Sequence, residues 1–170
     1  MNSYVILFRG VNVSGKNILP MKVLTFLLES NGYQQVKTYI QSGNVVLLSD
    51  DKPGNNLVNL VEQHFGFIVP IVVLTKAEFK VISQNNPYGD VEGKFCHFYF
   101  CQQTPQLNTE KLDKFKAETE QYQLIGNVFY LHAPDGIGRS KLVANIEKCL
   151  GATATGRNLN TVNKLNLLLG

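Results

Sequence analysis

The stretch YVILFRGVNVSGKN, residues 4–17, decides the fold, because it joins an apolar run to a polar loop. Tyr4 to Phe8 are five consecutive apolar residues, and such a run predicts a central strand covered on both faces. Residues 9–17 contain two cations, two asparagines, a serine and two glycines, but no carboxylate. This loop presents backbone N–H groups together with positive charge, and that combination suits an anion such as phosphate.

Outward from this stretch, the pattern predicts a ferredoxin-like first half. Pro20 fits the first turn of a helix whose apolar residues recur at helical spacing until Asn31-Gly32. A hairpin around Ser42-Gly43-Asn44 follows, then a second helix ending at Gly66, and then a strand for which Pro70 indicates an edge position. The predicted strands are Tyr4–Phe8, Val36–Gln41, Val45–Leu48 and Ile68–Leu74. With the helices they give the order βαββαβ.

A second pass of similar elements begins at Lys94. The predicted elements are a strand over Phe95–Cys101, a helix over Leu107–Thr119, strands over Tyr122–Ile125 and Val128–His132, a helix over Arg139–Leu150, and a last helix over Thr161–Leu168 capped by Asn160 or Thr161. The hairpins align, because Gly43-Asn44-Val45 matches Gly126-Asn127-Val128 in sequence. The repeated element order together with this match favours an internal duplication.

The predicted fold class is therefore α+β, with two ferredoxin-like halves, antiparallel sheets and an extra C-terminal helix. The first half has the order βαββαβ and the second has βαββα. The expected divisions are residues 1–75 for the first half, 76–93 for a connecting helix and linker, 94–150 for the second half, and 151–170 for a C-terminal segment and helix.

The predicted topology brings two polar segments together. In such a half, the first and second strands run toward the same end of the antiparallel sheet. The loop after Phe8 and the hairpin tip at Ser42 therefore lie at one edge of the first sheet. We expect their polar side chains to converge there, namely Arg9, Asn12, Lys16, Gln41, Ser42 and Asn44.

The composition is that of an ordinary globular chain. Its 170 residues are 44% hydrophobic and 17% charged, and the net charge of +3 is too mild to imply nucleic-acid binding by itself. No apolar run approaches the length of a membrane span and no targeting segment is visible, so we expect a cytoplasmic protein with no membrane partner. Cys96, Cys101 and Cys149 lack paired metal spacing and the histidines stand alone, so we expect free thiols, no metal site and no cofactor.

Part of the first loop is close to the phosphate-binding motif G-x-x-x-x-G-K-[ST] of nucleoside triphosphatases. Gly10, Gly15 and Lys16 match, but Asn17 stands where Ser or Thr binds magnesium, and Ile18-Leu19-Pro20 delays the helix. An antiparallel sheet is also the wrong context, so we expect an anion-binding loop of another kind. The structural alternative is a polar loop whose glycines permit a turn and whose asparagine side chains bond their own backbone.

Two further segments share this cation-plus-amide chemistry. DGIGRSK, residues 135–141, opens a predicted helix, and helix starts favour anions, although capping by Asp135 or Ser140 explains the segment as well. TGRNLNT, residues 155–161, precedes the last helix in the same way. Apart from Asp135, the polar segments contain no carboxylate, histidine or cysteine. They therefore lack the titratable group that acid–base or triad catalysis needs.

Aromatic side chains on the second half provide another candidate surface. His97 and Tyr99 share one face of their strand, and Tyr130 and His132 share a face of the partner strand. In RNA-recognition modules, aromatics on the central strands stack bases. The alternative is that these side chains pack between the two halves, since amphipathic aromatics are common at such interfaces.

Four stretches together resemble the signature of the bacterial family catalogued as domain-of-unknown-function 1697. They are FRGVNVSGKN with the following Pro20-Met21, TYIQSGNV (38–45), DGIGRSKL (135–142) and GRNLNTVNKL (156–165). The resemblance covers nearly the whole chain and preserves the order of the motifs. It implies an α+β fold with two ferredoxin-like halves, and it implies no particular activity. Ser14 stands where the family often has glycine, and Leu159 where an aromatic residue is frequent.

The leading hypothesis is a non-catalytic cytoplasmic module that binds a phosphate-bearing ligand, either a nucleotide or RNA. Arg9 and Lys16 contact phosphate in this hypothesis, while Asn12, Gln41 and Asn44 supply directed hydrogen bonds. The full set of predicted ligand-binding residues is Arg9, Asn12, Ser14, Lys16, Asn17, Gln41, Ser42, Asn44, Arg139, Lys141, Arg157 and Asn158. One alternative is an enzyme acting on a small anionic substrate, and another is an assembly or protein-interaction module whose polar motifs are structural. No catalytic residue is predicted, and the sequence leaves the oligomeric state open.

Overall fold

The computed structural model describes residues 1–170, which cluster into two compact units. Unit 1 comprises Met1–Val81 and Asn163–Gly170, and unit 2 comprises Ile82–Val162. No helix in the chain combines the length and the apolar character needed to cross a bilayer.

Unit 1 holds a four-stranded antiparallel sheet with the strand order β2-β3-β1-β4. The strands are β1 (Asn2–Phe8), β2 (Gln34–Tyr39), β3 (Asn44–Ser49) and β4 (Ile71–Thr75), and they are accompanied by the helices α1 (Met21–Ser30), α2 (Asn55–Phe65) and the first part of α3 (Lys76–Gln84). The order βαββαβ is as predicted. Pro70 directly precedes β4, which is an edge strand.

β1 is the buried centre of this sheet, as its apolar run predicts. Ile6 lies in one apolar cluster with Leu24 of α1 and Val61 of α2. Val5 and Leu7, which point to the opposite face, have no exposed area either. Because β1 is fixed on both faces, its last residue provides a firm starting point for the polar loop that follows.

Unit 2 repeats the topology, with the strand order β6-β7-β5-β8. The strands are β5 (Cys96–Cys101), β6 (Gln121–Ile125), β7 (Val128–His132) and β8 (Ala154–Asn158), and the helices are α4 (Thr109–Phe115), α5 (Lys141–Ala144), α6 (Ile146–Leu150) and the start of α7 (Leu159–Leu169). A single 3₁₀ turn, Gly93–Phe95, precedes β5. The predicted fold class is confirmed, with two ferredoxin-like halves and a C-terminal helix.

β8 is a strand that the sequence did not predict, because Ala154–Asn158 lacks apolar alternation. Gly156 lies opposite Tyr99 of β5, and a Cβ atom on Gly156 would come within 2.8 Å of Tyr99 Cε1. The tyrosine ring therefore requires glycine at this position, and no pattern within the strand itself reveals that requirement. With β8, the second half has the complete order βαββαβ rather than the predicted βαββα.

Two helices differ from their predicted limits because asparagines cap them. The helix predicted over Leu107–Thr119 is shorter, and its start is set by Asn108, whose side chain accepts the Lys111 N–H at 3.0 Å. The last helix begins at Leu159, because Asn158 Oδ1 accepts the Thr161 N–H at 3.0 Å. The predicted caps of that helix, Asn160 and Thr161, are therefore wrong.

The helix predicted over Arg139–Leu150 is broken into α5 and α6. Ser140 caps α5 by accepting the Val143 N–H at 3.2 Å. The break lies at Asn145, whose side chain donates to the Lys141 carbonyl at 2.8 Å. A side chain that bonds the preceding turn in this way competes with the helical ladder.

The two hairpins occupy equivalent places, but their sequence match is offset by one residue. The Phe8 N–H donates to the Gly43 carbonyl at 2.8 Å, and the Cys101 N–H donates to the Asn127 carbonyl at 2.9 Å. Gly43 is therefore the spatial equivalent of Asn127, whereas the matching letters pair it with Gly126. The shared strand order, and not the matching letters, describes the equivalence in space.

Candidate functional site

The loop between β1 and α1, residues 9–20, contains a small hairpin of its own. The Asn12 N–H donates to the Asn17 carbonyl at 3.0 Å, and the Lys16 N–H donates to the Val13 carbonyl at 2.9 Å. Between these bonds, Ser14 has φ 51° and Gly15 has φ 71°. Positive φ at both central residues defines a type I′ turn. The loop is therefore a built structure with an exposed turn at its end.

Asn12 pins this loop to the rest of unit 1. Its Nδ2 donates to the Leu19 carbonyl at 2.9 Å and to the Gln41 carbonyl at 2.8 Å, while its Oδ1 accepts the Leu19 N–H at 2.7 Å. The bond to Gln41 joins the loop to the connection between β2 and β3, residues 40–43, called the tip below. The two segments therefore meet within unit 1, whereas the convergence of all six polar side chains stays a prediction. Both amide hydrogens of Asn12 are thus engaged, one within the loop and one at the tip.

Asn44, the first residue of β3, holds the tip from inside. It is fully buried, and its Nδ2 donates to the Tyr39 carbonyl at 3.0 Å and to Ser42 Oγ at 2.9 Å. Asn17 likewise donates to the Gly10 carbonyl at 3.1 Å. The asparagines therefore bond their own backbone, as the structural alternative for this loop proposes.

Left-handed backbone is concentrated in the loop and the tip. The non-glycine residues with positive φ are Asn12, Ser14, Asn17, Gln35 and Ile40, and four of these five lie in the loop or the tip. Ile40, with φ 50°, is the most unusual, because a β-branched side chain strongly disfavours this region. Each such residue stores of order 1–3 kcal/mol, and stored strain of this kind clusters at functional sites.

The exposed surface of the loop is rich in donors. Lys16 is exposed, Arg9 is half-buried, and neither the loop nor the tip contains a carboxylate. Val13 and Lys16 form a bridge across the turn, whereas no acceptor in the chain receives the backbone N–H groups of Ser14 and Gly15, which lie on the exposed turn. Successive N–H groups in a turn form a concave site for anions. The arrangement is suited to holding a negative group.

Sequence reasoning missed two residues next to the tip. Tyr39 ends β2, and Lys164 Nζ of α7 lies 6.0 Å from the centroid of its ring. A cation over an aromatic face at this distance is a favourable contact. Lys164 therefore places a third positive charge close to the tip. No local pattern signals this pairing, since the two residues are far apart in the sequence.

Of the twelve predicted site residues, eight belong to unit 1 and four to unit 2. Two of the four, Arg139 and Lys141, are exposed. Next to them, Ser140 donates to Glu120 Oε2 at 2.6 Å in addition to capping α5. Asp135 accepts from Thr119 at 2.6 Å and caps no helix. Capping and bonding within unit 2 therefore account for the side chains of Ser140 and Asp135.

Arg157 and Asn158 are the other two. Asn158 caps α7, and the Arg157 guanidinium donates to the Gly156 carbonyl at 2.8 Å. Burial lowers the pKa of Arg157 to about 10, so the side chain stays charged at neutral pH. Both residues therefore have structural partners, and their binding role stays a prediction.

The aromatic surface considered from the sequence does not form, because the register separates its members. Tyr130 is opposite Phe98 and His132 is opposite Cys96, whereas His97 and Tyr99 are opposite Leu131 and Phe129. Tyr130 and His132 therefore share a face with Phe98, and His97 and Tyr99 lie on the other face. His97, Tyr99 and Tyr130 are also buried. A stacking platform of these four side chains is excluded.

The cysteines are free and buried, as expected. Burial, with the Glu147 carboxylate adding to it, raises the pKa of the Cys101 thiol to about 11. Burial also raises the pKa of Cys96 and of Cys149. These thiols are protonated at neutral pH, whereas the thiolate is the nucleophile. No three His, Cys, Asp or Glu side chains cluster in a way that holds a metal ion.

Comparison with known proteins gives a similar solved structure and a family. The structure of conserved bacterial protein SP0830 from Streptococcus pneumoniae is similar over 99% of this chain and 99% of that chain, with a TM-score of 0.69 and 25% sequence identity. No curated protein matches the chain. The family model described as "Protein of unknown function (DUF1697)" matches residues 1–130, which include the loop and the tip. The chain therefore belongs to the DUF1697 family.

Proposed function

We propose that the protein is a cytoplasmic, non-catalytic module that binds a phosphate-bearing ligand, a nucleotide or RNA, at the loop and the tip of unit 1. The observation that carries the proposal is the pair of Asn12 hydrogen bonds to Leu19 and Gln41, which hold an exposed, donor-rich turn against the tip. Without these hydrogen bonds, the loop would not hold the positive charge of Lys16 at a fixed position beside the tip.

The binding chemistry is that of an anion nest with flanking cations. In the proposal, the N–H groups of Ser14 and Gly15 approach the phosphate oxygens, and Lys16 supplies the charge. Arg9 provides a planar guanidinium that can bind phosphate with two parallel hydrogen bonds. Neither segment contains a carboxylate of its own that would oppose the ligand.

The asparagines have a different role from the one expected from the sequence. Asn12 and Asn44 are positioning residues in the proposal, since their amide hydrogens already donate to unit 1. Gln41 is exposed, and its side chain has no bond to the loop, so it is the amide at the tip best placed to contact a ligand. Direct contacts are thus assigned to Arg9, Lys16 and Gln41.

Isothermal titration calorimetry with ATP, a short single-stranded RNA and inorganic phosphate tests the proposal. Lys16→Ala should weaken the binding of ATP or RNA about tenfold, because one charge-assisted contact is lost. Its exposed side chain makes Lys16 a safe position to change without affecting folding. Raising the salt concentration should weaken the same binding, since the attraction is ionic.

Lys52→Ala is the matched control. Lys52 is exposed and follows β3 at the opposite end of the same sheet, so its removal changes the net charge equally but leaves the loop intact. Equal losses of affinity in the two variants would point to general charge attraction. Tight binding that neither Lys16→Ala nor Arg9→Ala weakens would remove the loop from consideration.

The burial of Asn44 favours a second candidate function, an assembly module whose polar motifs are structural. Asn44 is fully buried and bonded to the tip, and Asn158 is used as a cap. In this case, Asn12→Ala lowers the stability of unit 1 while no phosphate compound raises the melting temperature of the wild-type chain. A ligand-induced rise in melting temperature that Lys16→Ala abolishes would decide for the binding module.

A further inference from the structure

Each of the two sheets has two edge strands, and three of the four edges are protected. An unprotected edge presents unpaired N–H and C=O groups on which another strand can form. β2 is irregular, with a register shift between Gln34 and Lys37 and positive φ at Gln35. Such a bulge prevents regular pairing along an edge.

Side chains protect β8 and β4. On the outer side of β8, the Ala154 N–H donates to Glu147 Oε2 at 2.8 Å, and the Gly156 carbonyl accepts from Arg157 at 2.8 Å. On β4, which begins directly after Pro70, the Thr75 N–H donates to Glu78 Oε2 at 2.8 Å. On each of these edges, a side chain already bonds outward N–H or C=O groups with which a new strand would have to pair.

β6 has none of these features. Its register with β7 is regular from Gln121 to Ile125, and its sequence QYQLI contains no charge and no proline. β6 and β7 are joined by two residues, so Ile125 and Val128 form the closing hydrogen-bonded pair. The alternation that follows turns the N–H and C=O groups of Tyr122 and Leu124 outward, and no side chain of the chain bonds them.

We propose that the open edge of β6 is the pairing site for β6 of a second copy of this chain. An antiparallel pair centred on Gln123 places Tyr122 opposite Leu124 of the other copy, and the outward groups of both residues are then satisfied. Two-fold symmetry makes the same contacts twice. The unit 2 sheets of the two copies then form one continuous sheet of eight strands.

The side chains of β6 are compatible with antiparallel pairing of two copies of this strand. No like charges meet, because the strand is uncharged, and Glu120 of one copy falls beside the neutral Gly126 of the other. Gln123 is exposed and faces its own symmetry mate, where the two amides can donate to and accept from each other. The core-facing side chains Tyr122 and Leu124 keep their places, so pairing needs no rearrangement.

Sedimentation equilibrium of the full chain over a concentration series tests this proposal. The wild type should form dimers as its concentration rises. Gln123→Lys should raise the dimer dissociation constant about tenfold, because two ammonium groups then face each other in a closely spaced pair. Gln34→Lys on the irregular edge of β2 is the matched control, and it should leave dimerisation unchanged.

Hydrogen exchange identifies the surface independently of the mass measurement. The N–H groups of Tyr122 and Leu124 should exchange rapidly in dilute protein and become protected in the dimer. A chain that stays monomeric at millimolar concentration overturns the proposal, and so does a dimer that Gln123→Lys leaves intact or in which these two N–H groups stay unprotected. Because β6 and the loop at Arg9 lie in different units, this result is independent of any ligand-binding result.

Discussion

The connection after β1 and the connection after β5 solve the same problem in two different ways. Each starts with a backbone bond to the facing hairpin and a second bond to the following edge strand: Arg9 N–H to the Pro70 carbonyl, and Gln102 N–H to the Thr153 carbonyl, both at 2.9 Å. The anchors are the same. Twelve residues then lead to α1, whereas seven lead to α4.

The residues between these anchors differ in charge and in strain. Residues 9–20 carry two cations and five residues with positive φ, while residues 102–108 carry no charge and none with positive φ. The topology itself is therefore satisfied by a short, neutral and relaxed connection. The strained and basic loop of unit 1 is additional to what the fold requires, and this excess agrees with the binding role proposed for it.

The largest expected effect concerns the two hairpins. Gly43→Ala should destabilise unit 1 by about 3 kcal/mol, because φ is +89° and the new Cβ would lie 2.7 Å from Phe8 Cβ. Gly126→Ala should cost only about 1 kcal/mol, since φ is +59° but no atom lies within 4 Å. Urea unfolding followed by unit-specific hydrogen exchange measures both. Equal costs would show that close packing of the tip is not what distinguishes unit 1.

The second prediction compares the side chains that pin the two connections. Asn12→Ala removes three hydrogen bonds and should cost about 2 kcal/mol, whereas Gln103→Ala removes one bond to the Thr153 N–H and should cost about 1 kcal/mol. Faster exchange of the Leu19 N–H is the local readout. If Leu19 stays protected in Asn12→Ala, the loop holds its position without this amide.

The third prediction separates the units by pH. Burial lowers the pKa of His97, against an opposing backbone hydrogen bond to Lys94, and His97 Nε2 has no partner. The unfolded chain then binds the proton more readily than the folded chain. The contribution of neutral His97 to the free energy of unfolding should be fully present above pH ~6.5. As the pH drops below ~6.5, the free energy of unfolding should decrease by at most about 1.4 kcal/mol per pH unit.

Tyr4 is the residue of β1 that corresponds to His97 of β5. Tyr4 lies four residues before Phe8, the end of β1, and His97 lies four residues before Cys101, the equivalent end of β5. Unit 1 has no histidine at this position, so the loss should be confined to unit 2. Urea unfolding at pH 7.5 and pH 5 measures it, with His97→Phe as the control that flattens the dependence. The same pH dependence in His97→Phe would assign the effect to other groups.

The smallest expected effect is Ser14→Gly, which should stabilise the loop by about 0.5 kcal/mol. Glycine relieves the left-handed strain at φ 51°, but it also gives the unfolded chain more freedom, so the two effects nearly cancel. Thermal unfolding at matched conditions detects the shift. A clear loss of stability would mean that the Ser14 side chain makes a contribution that its exposure does not suggest.

Much of the fold was predictable because its signals are local. The apolar run ending at Phe8, the turn residues of both hairpins and the glycine after α2 act within a few residues of themselves. β8 was missed because its glycine, Gly156, is required by the ring of Tyr99 on another strand and not by any pattern within β8. The one-residue offset of the hairpins was missed for a related reason, since similar letters do not fix which backbone groups pair.

The candidate site was predictable in place but not in the role of its residues. A shared sheet edge follows from topology, and so the meeting of the Arg9 loop with the tip was foreseen. Whether the N–H groups of a side-chain amide already donate within the protein depends on how close the segments lie in the folded chain. That is why Asn12 and Asn44 were expected to contact a ligand, although their hydrogens hold the loop and the tip.

The sequence by itself determined the alternation of strands and helices and the gathering of cations and amides on two turns, because both are set by residues near one another in the chain. Only the tertiary structure decided which of those amides hold the protein's own backbone, which strand edges stay open, and that Lys164 lies over Tyr39. Those outcomes depend on hydrogen bonds and packing between distant segments, and such contacts exist only once the sheets have formed.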